Sequence, residues 1–279
     1  MSLKKEIERF RERLKLRAYG GCRELFEQRD ADIFIVSYPK SGRTWLRLML
    51  GKYLADLSEI EFTELLEIYQ LTDAAKNLPK IGVVHDGSSL DGTNWKACRL
   101  KKNKAFYKNR KVVFLARDPR DVAVSYFFHC NRRAKAYQKG ISDFLRDEKF
   151  GLPKIIRFMN IWAMNRAIPK AFLLVHYEKL LANPAAELKR FIEFIGVKYD
   201  AGLVGKAVEF ASFEKMREME LQGKFESDRL KPGCPGDPES FKTRKGKTAG
   251  YTDYLVGDDL EYANEMIKNN LSPFFGYQP

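Results

Sequence analysis

The chain has 279 residues, 44% of them hydrophobic, with 50 Lys and Arg against 37 Asp and Glu and a net charge of +13. That size suits one large α/β domain or two small ones, and no run approaches the roughly 18 uninterrupted apolar residues of a membrane span. The excess positive charge fits a polyanionic partner (a nucleotide, a nucleic acid, an acidic lipid surface or an acidic glycan) or a basic surface with no specific partner. Ser2 to Phe10 mixes both charge signs without an apolar block, so it does not read as a secretory signal. Cys22, Cys98, Cys130 and Cys234 are scattered with no C-x-x-C pair. That spacing argues against a disulfide framework or a metal site and for a reducing, cytoplasmic setting.

Residues 4 to about 29 set Ile7, Phe10, Leu14 and Leu25 among dense charges. They read as a solvent-facing helix broken near Gly20 and Gly21, so 1–30 is expected to be a helical extension packed on or next to a domain spanning 31–279. Ile33 to Val36 is a short β-branched run of the kind found in buried parallel strands. A loop follows, and then the helical stretch Trp45 to Leu54. Three more apolar runs read as strands: Ile81 to Val84, Val112 to Ala116 and Phe172 to Val175. Helices are expected between and after them, near 60–70, 119–129, 153–168 and 185–195. The alternation predicts a single α/β domain whose mostly parallel central sheet is flanked by helices on both faces. Lys231 to Pro238, rich in Pro and Gly, reads as a surface loop.

The loop Pro39-Lys40-Ser41-Gly42-Arg43-Thr44-Trp45 joins the first strand to a helix N-terminus, where unpaired backbone N–H groups converge. Gly42 permits close approach of the backbone, Lys40 adds charge, and Ser41 and Thr44 add hydroxyl donors. These are the parts of a cradle for a phosphate or sulfate group. The G-x-x-x-x-G-K-[ST] pattern of a standard P-loop is absent, because the lysine precedes Gly42 by two residues. Arg117 leaves the third strand, Pro119 and Asp121 suit the first turn of a helix, and Ser125 lies two turns in. An arginine fork and a serine hydroxyl can bind one phosphate; an Arg117–Asp121 surface pair is the alternative. Arg244, Lys245 and Lys247 form a further basic cluster around Gly246, which on charge alone also reads as a solvated run.

Taken in order, these segments resemble the PAPS-dependent sulfotransferases. Residues 39–45 are similar to the family's PKSGTTW loop for the 5′-phosphosulfate, with Arg43 in place of a threonine. Arg117 to Ser125 resembles the RxPxxxxxS motif for the 3′-phosphate. Arg244-Lys245-Gly246 resembles the start of RKGxxGDW, although Ala249, Gly250 and Tyr251 stand where Gly, Asp and Trp are usual. Ser212 to Met216 resembles the segment whose phenylalanine, here Phe213, packs on adenine opposite Trp45. Tyr177-Glu178-Lys179-Leu180 resembles YEDLxxNP, whose tyrosine, here Tyr177, lies near the nucleotide. The likeness runs from about residue 33 to 251. It implies a P-loop-NTPase-like sulfotransferase fold and a donor site made of Lys40, Ser41, Gly42, Arg43, Thr44, Trp45, Arg117, Ser125, Tyr177, Phe213, Arg244, Lys245 and Gly246. It also implies PAPS as sulfuryl donor, PAP as product, and no metal requirement.

Sulfuryl transfer needs a cation at the leaving oxygen and a base for the acceptor proton. Lys40 is the candidate for the first role. His85 is the candidate for the second: it ends the second strand at the carboxyl edge of the sheet, where ligands bind, it titrates near neutrality, and it matches the family's catalytic histidine. Asp86 is the reserve base. Val83 stands where many relatives carry a lysine, so either Lys40 acts without that helper or a later lysine supplies it. His129 and His176 read as structural. Two other classes remain open: a P-loop kinase or NTPase, with Asp118 as a metal-binding carboxylate, and a basic nucleic-acid-binding module, for which no recognised motif is present. The acceptor, a small molecule, glycan or lipid carrying a hydroxyl or amine, has no motif. Trp95, Phe106, Tyr107, Phe127, Phe128 and Tyr137 are candidates to line its pocket or to pack the core. Lys101, Lys102, Lys104 and Lys108 would attract an acidic acceptor or face water. The oligomeric state stays open.

Overall fold

The computed structural model describes residues 23–88, 100–226, 228–231, 234 and 236–279. The expectations placed on residues 4–22, Trp95, Cys98 and the loop positions 232, 233 and 235 lie outside these. The four apolar runs form strands β1 (Ile33–Ser37), β2 (Ile81–Val84), β3 (Lys111–Ala116) and β4 (Ala171–His176). They lie in the order β2-β1-β3-β4, and every pairing is parallel. Side chains alternate between two cores. Phe34, Val36, Val112, Phe114 and Ala116 enter one, and Ile33, Ile35, Val83, Val113 and Leu115 enter the other. Burial on both faces is why these strands read as continuous apolar runs rather than alternating ones.

The helices described are, in chain order, α1 (Arg23–Glu27), α2 (Arg43–Leu57), α3 (Ile68–Ala74), α4 (Pro119–Phe128), α5 (Ile141–Arg146) and α6 (Leu152–Asn165), then α7 (Tyr177–Ala182), α8 (Pro184–Ile195), α9 (Ala201–Phe210), α10 (Phe213–Gln222) and α11 (Asp258–Asn270). Helices α4, α5, α6 and α11 cover the first core, while α2, α3, α8, α9 and α10 cover the second. The chain moves from β1 outward to β2, then crosses back to β3 on the other side of β1. A crevice therefore opens beyond the carboxyl ends of β1 and β3, the switch point where ligands of open α/β sheets bind. Register fixes what meets there. Ser37 lies opposite Leu115, so the loop after β1 and the chain after β3 leave the sheet side by side.

The helix expected at 60–70 is displaced. Residues 60–67 run as irregular chain, with Leu65 and Leu66 buried, and the helix starts only at Ile68. The cause lies in α2, where a Cβ on Gly51 would sit 2.0 Å from the Leu65 carbonyl oxygen. Backbone passes directly over backbone at that point, and a helical turn does not fit. Gly51→Ala puts two effects in competition. Helix propensity favours alanine by about 1 kcal/mol, while forcing the crossing chain outward costs about 1–3 kcal/mol or more. The expected outcome is a lower melting temperature; a rise would contradict the crossing.

Candidate active site

One cavity of about 260 Å³ opens at the switch point, walled by Lys40, Gly42, Arg43, Thr44, Trp45, His85, Arg117, Ser125, Tyr177, Phe213, Arg244, Lys245 and Gly246. Of the residues expected to hold the donor, only Ser41 is missing from the wall, because it is buried beneath the loop. Pro39, Arg47, Leu181, Met216, Arg229, Lys242 and Thr243 complete it. The wall carries eight cationic side chains, and among its described residues there is no carboxylate.

The loop after β1 is shaped by two left-handed residues, Lys40 at φ 72° and Gly42 at φ 92°. Gly42 is required twice over. Its conformation disfavours a side chain, and a Cβ there would meet the Tyr177 ring at 2.4 Å. No side chain caps the start of α2, which leaves first-turn N–H groups without intrahelical partners. Arg117 Nη1 donates to the Lys40 carbonyl oxygen at 3.3 Å, so the loop after β1 and the segment after β3 are joined directly. The Arg117 guanidinium also lies 4.3 Å from the Tyr177 ring centroid, and its Nη2 is 3.6 Å from Asp121. The pair with Asp121 is thus present, but on a residue that faces the cavity. Trp45 is held by its indole N–H to the Ala211 carbonyl at 2.8 Å. Phe213 packs on Gly246, where a Cβ would meet the ring at 2.5 Å. Both aromatics line the cavity.

Carboxylates stand behind the cations rather than among them. Arg244 is braced by Glu239 at 3.0 Å, Lys245 by Asp253 at 2.6 Å, Arg43 by Glu24 at 3.7 Å and Arg229 by Glu67. Among the described residues, four buried guanidinium nitrogens still have no partner: Arg43 Nη1, Arg47 Nε, Arg117 Nε and Arg244 Nε. Buried donors without partners are costly in a folded protein, and here they belong to residues that line one cavity. A multiply phosphorylated ligand supplies what they lack.

The sulfotransferase domain family matches residues 30–275 of this sequence. The chain belongs to that family. It is 24% identical to flavonol 3-sulfotransferase of Flaveria bidentis over 89% of this chain and 84% of that protein. Its identity to cytosolic sulfotransferase 17 of Arabidopsis thaliana is 28%, over 84% of this chain and 72% of that one. Mouse sulfotransferase SULT7A1, solved in complex with PAP, superposes with a TM-score of 0.59 at 18% identity, covering 91% of this chain and 88% of that one. That likeness speaks for the fold. The protein is accordingly a transferase enzyme, and no described helix is long and apolar enough to cross a membrane.

Several expectations about this sulfotransferase's site are corrected by the coordinates. Asp86 is no reserve base: it is buried, bound to Lys104 Nζ at 2.5 Å, Tyr107 Oη at 3.0 Å and Trp162 Nε1 at 3.1 Å, and it is absent from the cavity wall. Lys104, its ion-pair partner, is buried and attracts nothing from solvent. Asp118 caps α4 and pairs with Arg120 at 2.7 Å, which occupies it structurally. Of the two alternatives for the described aromatics, core packing is the one seen: Tyr107, Phe128 and Tyr137 are buried, and Phe106 and Phe127 pack against the same core. His176 meets Tyr277 at 3.2 Å, as a structural histidine would. His129 opens a single π turn, and burial together with the charges of Lys40 and Lys242 holds its pKa down to about 2.

The wall also holds a lysine that the sequence did not single out, Lys242. Buried Glu220 fixes its position, accepting from the backbone N–H of Lys242 at 2.7 Å and of Thr243 at 2.9 Å. Burial, then Lys40 and Arg133, push the Lys242 pKa down to about 6. Burial, then Arg133, push Lys40 down to about 7. Both values lie below the ordinary lysine value of ~10.4, and a bound polyanion raises them. Binding therefore takes up protons near neutral pH, and affinity falls as the pH climbs above about 7. Calorimetry of adenosine 3′,5′-bisphosphate binding at about pH 7.5, in buffers of different ionisation enthalpy, is expected to show uptake of roughly one proton or more. An enthalpy independent of buffer would contradict the assignment.

Proposed function

We propose that this chain transfers a sulfuryl group from PAPS to the hydroxyl of a small-molecule acceptor, releasing PAP. The observation that carries the reading is the Arg117 bond to the Lys40 carbonyl, which makes one cavity of two segments that each suit a phosphate, with His85 in the same wall. In this reading, the first-turn N–H groups of α2, Lys40 and Thr44 hold the 5′-phosphosulfate. Arg117, Ser125, Arg244 and Lys245 hold the 3′-phosphate, and Trp45 and Phe213 flank the adenine.

The acceptor oxygen attacks sulfur in line, and the bond from sulfur to the bridging oxygen breaks. That oxygen leaves with the 5′-phosphate, and the acceptor proton passes to His85 Nε2. Lys40 meets the charge that grows on the leaving oxygen. Lys40, with a pKa of about 7 in the unliganded site, is protonated when the polyanionic donor binds, so it meets that charge as a cation. His85 is neutral at working pH, but burial and the neighbouring Arg43 push its pKa down to about 3, below the near-neutral value expected from the sequence, so the ring is a weak base while Arg43 stays beside it. One relative is named for a flavonol acceptor and another as cytosolic, which supports a hydroxyl-bearing small molecule as acceptor and a cytoplasmic location. Residues 1–30 are assigned as an extension of the domain that begins at 31.

Labelled PAPS with a panel of phenols, alcohols and amines tests the reading. Transfer to a hydroxyl acceptor is expected, with turnover lost in Lys40→Ala. Arg117→Ala is expected to weaken PAP by about 1.5–3 kcal/mol, the worth of a hydrogen bond to a charged group, while leaving AMP nearly unchanged. Equal losses for PAP and AMP would remove the 3′-phosphate assignment. His85→Ala is expected to slow transfer far more than it weakens the donor, and the reverse order would make His85 a binding residue.

A further inference from the structure

The base nitrogen of His85 is not open to the cavity. Its Nδ1 lies 2.9 Å from the Ser37 carbonyl oxygen, which can only accept, so Nδ1 carries the ring proton. Its Nε2 lies 2.6 Å from Arg43 Nη2, and a guanidinium can only donate, so the Nε2 lone pair is already taken. Arg43 is anchored from behind by Glu24 Oε1 at 3.7 Å. The other oxygen of that carboxylate accepts from the backbone N–H of His85 at 2.9 Å. Glu24, Arg43 and His85 therefore form a closed unit, with α1 holding both the arginine and the chain that bears the base. Arg43 Nη1 is buried without a partner, and Arg43 lines the cavity next to Gly42 and Thr44.

We propose that Arg43 is the positioning residue of the base: it fixes the His85 tautomer and caps Nε2 until an anionic group seated on the 38–44 loop draws the guanidinium away. The inference rests on reading His85 as the base. The driving force is a difference in bond strength. A guanidinium bound to a neutral imidazole has one charged partner, whereas the same fork on a phosphate or sulfonate has two and can bond in parallel. The unfilled Nη1 allows the second bond to form before the first is given up. An acceptor that arrives at an unloaded site then finds no lone pair for its proton, and the base opens only when the loop is occupied. The residue that departs from the family's loop pattern is thus the one that touches the base.

The groups facing His85 are Arg43 and Arg47 of α2, Glu24 of α1 and the Ser37 carbonyl of β1, with Arg229 and Glu67 facing Arg43 and Arg47 further out. Glu24 and the Ser37 carbonyl favour the charged ring, but burial and the two arginines outweigh them. Removing Arg43 therefore raises the point at which the ring protonates.

Ring-nitrogen spectra of the full chain labelled with ¹⁵N-histidine, read across about pH 5 to 9, test this without an activity assay. In the wild type, the His85 ring is expected to stay neutral over that range. In Arg43→Thr its midpoint is expected to move up into that range, toward the ordinary histidine value of about 6.5. A second measurement needs no variant: adding adenosine 3′,5′-bisphosphate to the wild type is expected to shift the His85 Nε2 resonance as the cap leaves. An unmoved midpoint in Arg43→Thr, or an unmoved Nε2 resonance in the bisphosphate complex, overturns the proposal. A purely structural Arg43 would lower the melting temperature and move neither. Turnover with labelled PAPS separates the two readings. Shifted resonances without sulfuryl transfer keep the cap and remove the enzyme assignment; transfer with unmoved resonances does the opposite.

Discussion

Like charges crowded around a small cavity repel one another, and the site is organised around containing that repulsion. Lys40, Arg43, Arg47, Arg117, Arg229, Lys242, Arg244 and Lys245 share a single wall. Two devices hold them there. Carboxylates at Glu24, Glu67, Glu239 and Asp253 sit behind individual cations, so each is braced without its charge being cancelled toward the cavity. The lysines, unlike the arginines, can also shed charge, and Lys40 and Lys242 titrate at about 7 and about 6. A polyanionic ligand reverses both strains at once, filling the orphaned guanidinium nitrogens and recharging the lysines.

The fold supplies the convergence. Parallel register sets Ser37 beside Leu115, and from there a few residues of loop bring the Lys40 carbonyl to Arg117. The third segment arrives from the far end of the chain and is fastened to the same helix. Asp121 of α4 accepts from the backbone N–H of Tyr251 at 2.9 Å, and Arg120 stacks 4.4 Å from the Tyr251 ring centroid. Arg120 also bonds Asp118, Asn264 and the Gln278 carbonyl. The departures at Ala249, Gly250 and Tyr251 are thereby explained as a local anchor. Tyr251 gives Arg120 an aromatic face, Gly250 lies close to Asp121, and Ala249 takes the left-handed backbone, φ 53°, that the usual glycine would adopt.

Much of this was legible in the sequence for a physical reason. A strand buried on both faces must be a short apolar run, so β1, β2, β3 and β4 stood out, and the parts of an anion cradle must sit at a strand-to-helix turn, so residues 39–45 did too. Elements whose definition is tertiary were not legible. The helices α5, α9 and α10 are short, and α9 carries Gly202 and Gly205 inside it. Its start is marked only by the Asp200 side chain accepting from the Leu203 N–H at 2.9 Å. Lys242 comes from irregular chain and Arg229 from a single 3-10 turn (Asp228–Leu230), and Glu220 and Glu67, distant in sequence, help to give them their positions. Glu24 reads as one more charge on a polar helix until the fold sets it against Arg43 and the His85 backbone. Asp86 misled in the opposite sense. Placed next to the base at a strand end, it looks available, yet Lys104, Tyr107 and Trp162 consume both its oxygens.

The structure of the chain crystallised with PAP tests the central claim most directly. Both phosphates are expected inside one cavity, the 5′-phosphate against the N-terminus of α2 and Lys40, the 3′-phosphate against Arg117 and Ser125. A nucleotide with its 3′-phosphate in open solvent, or bound away from Arg117 altogether, would contradict the account.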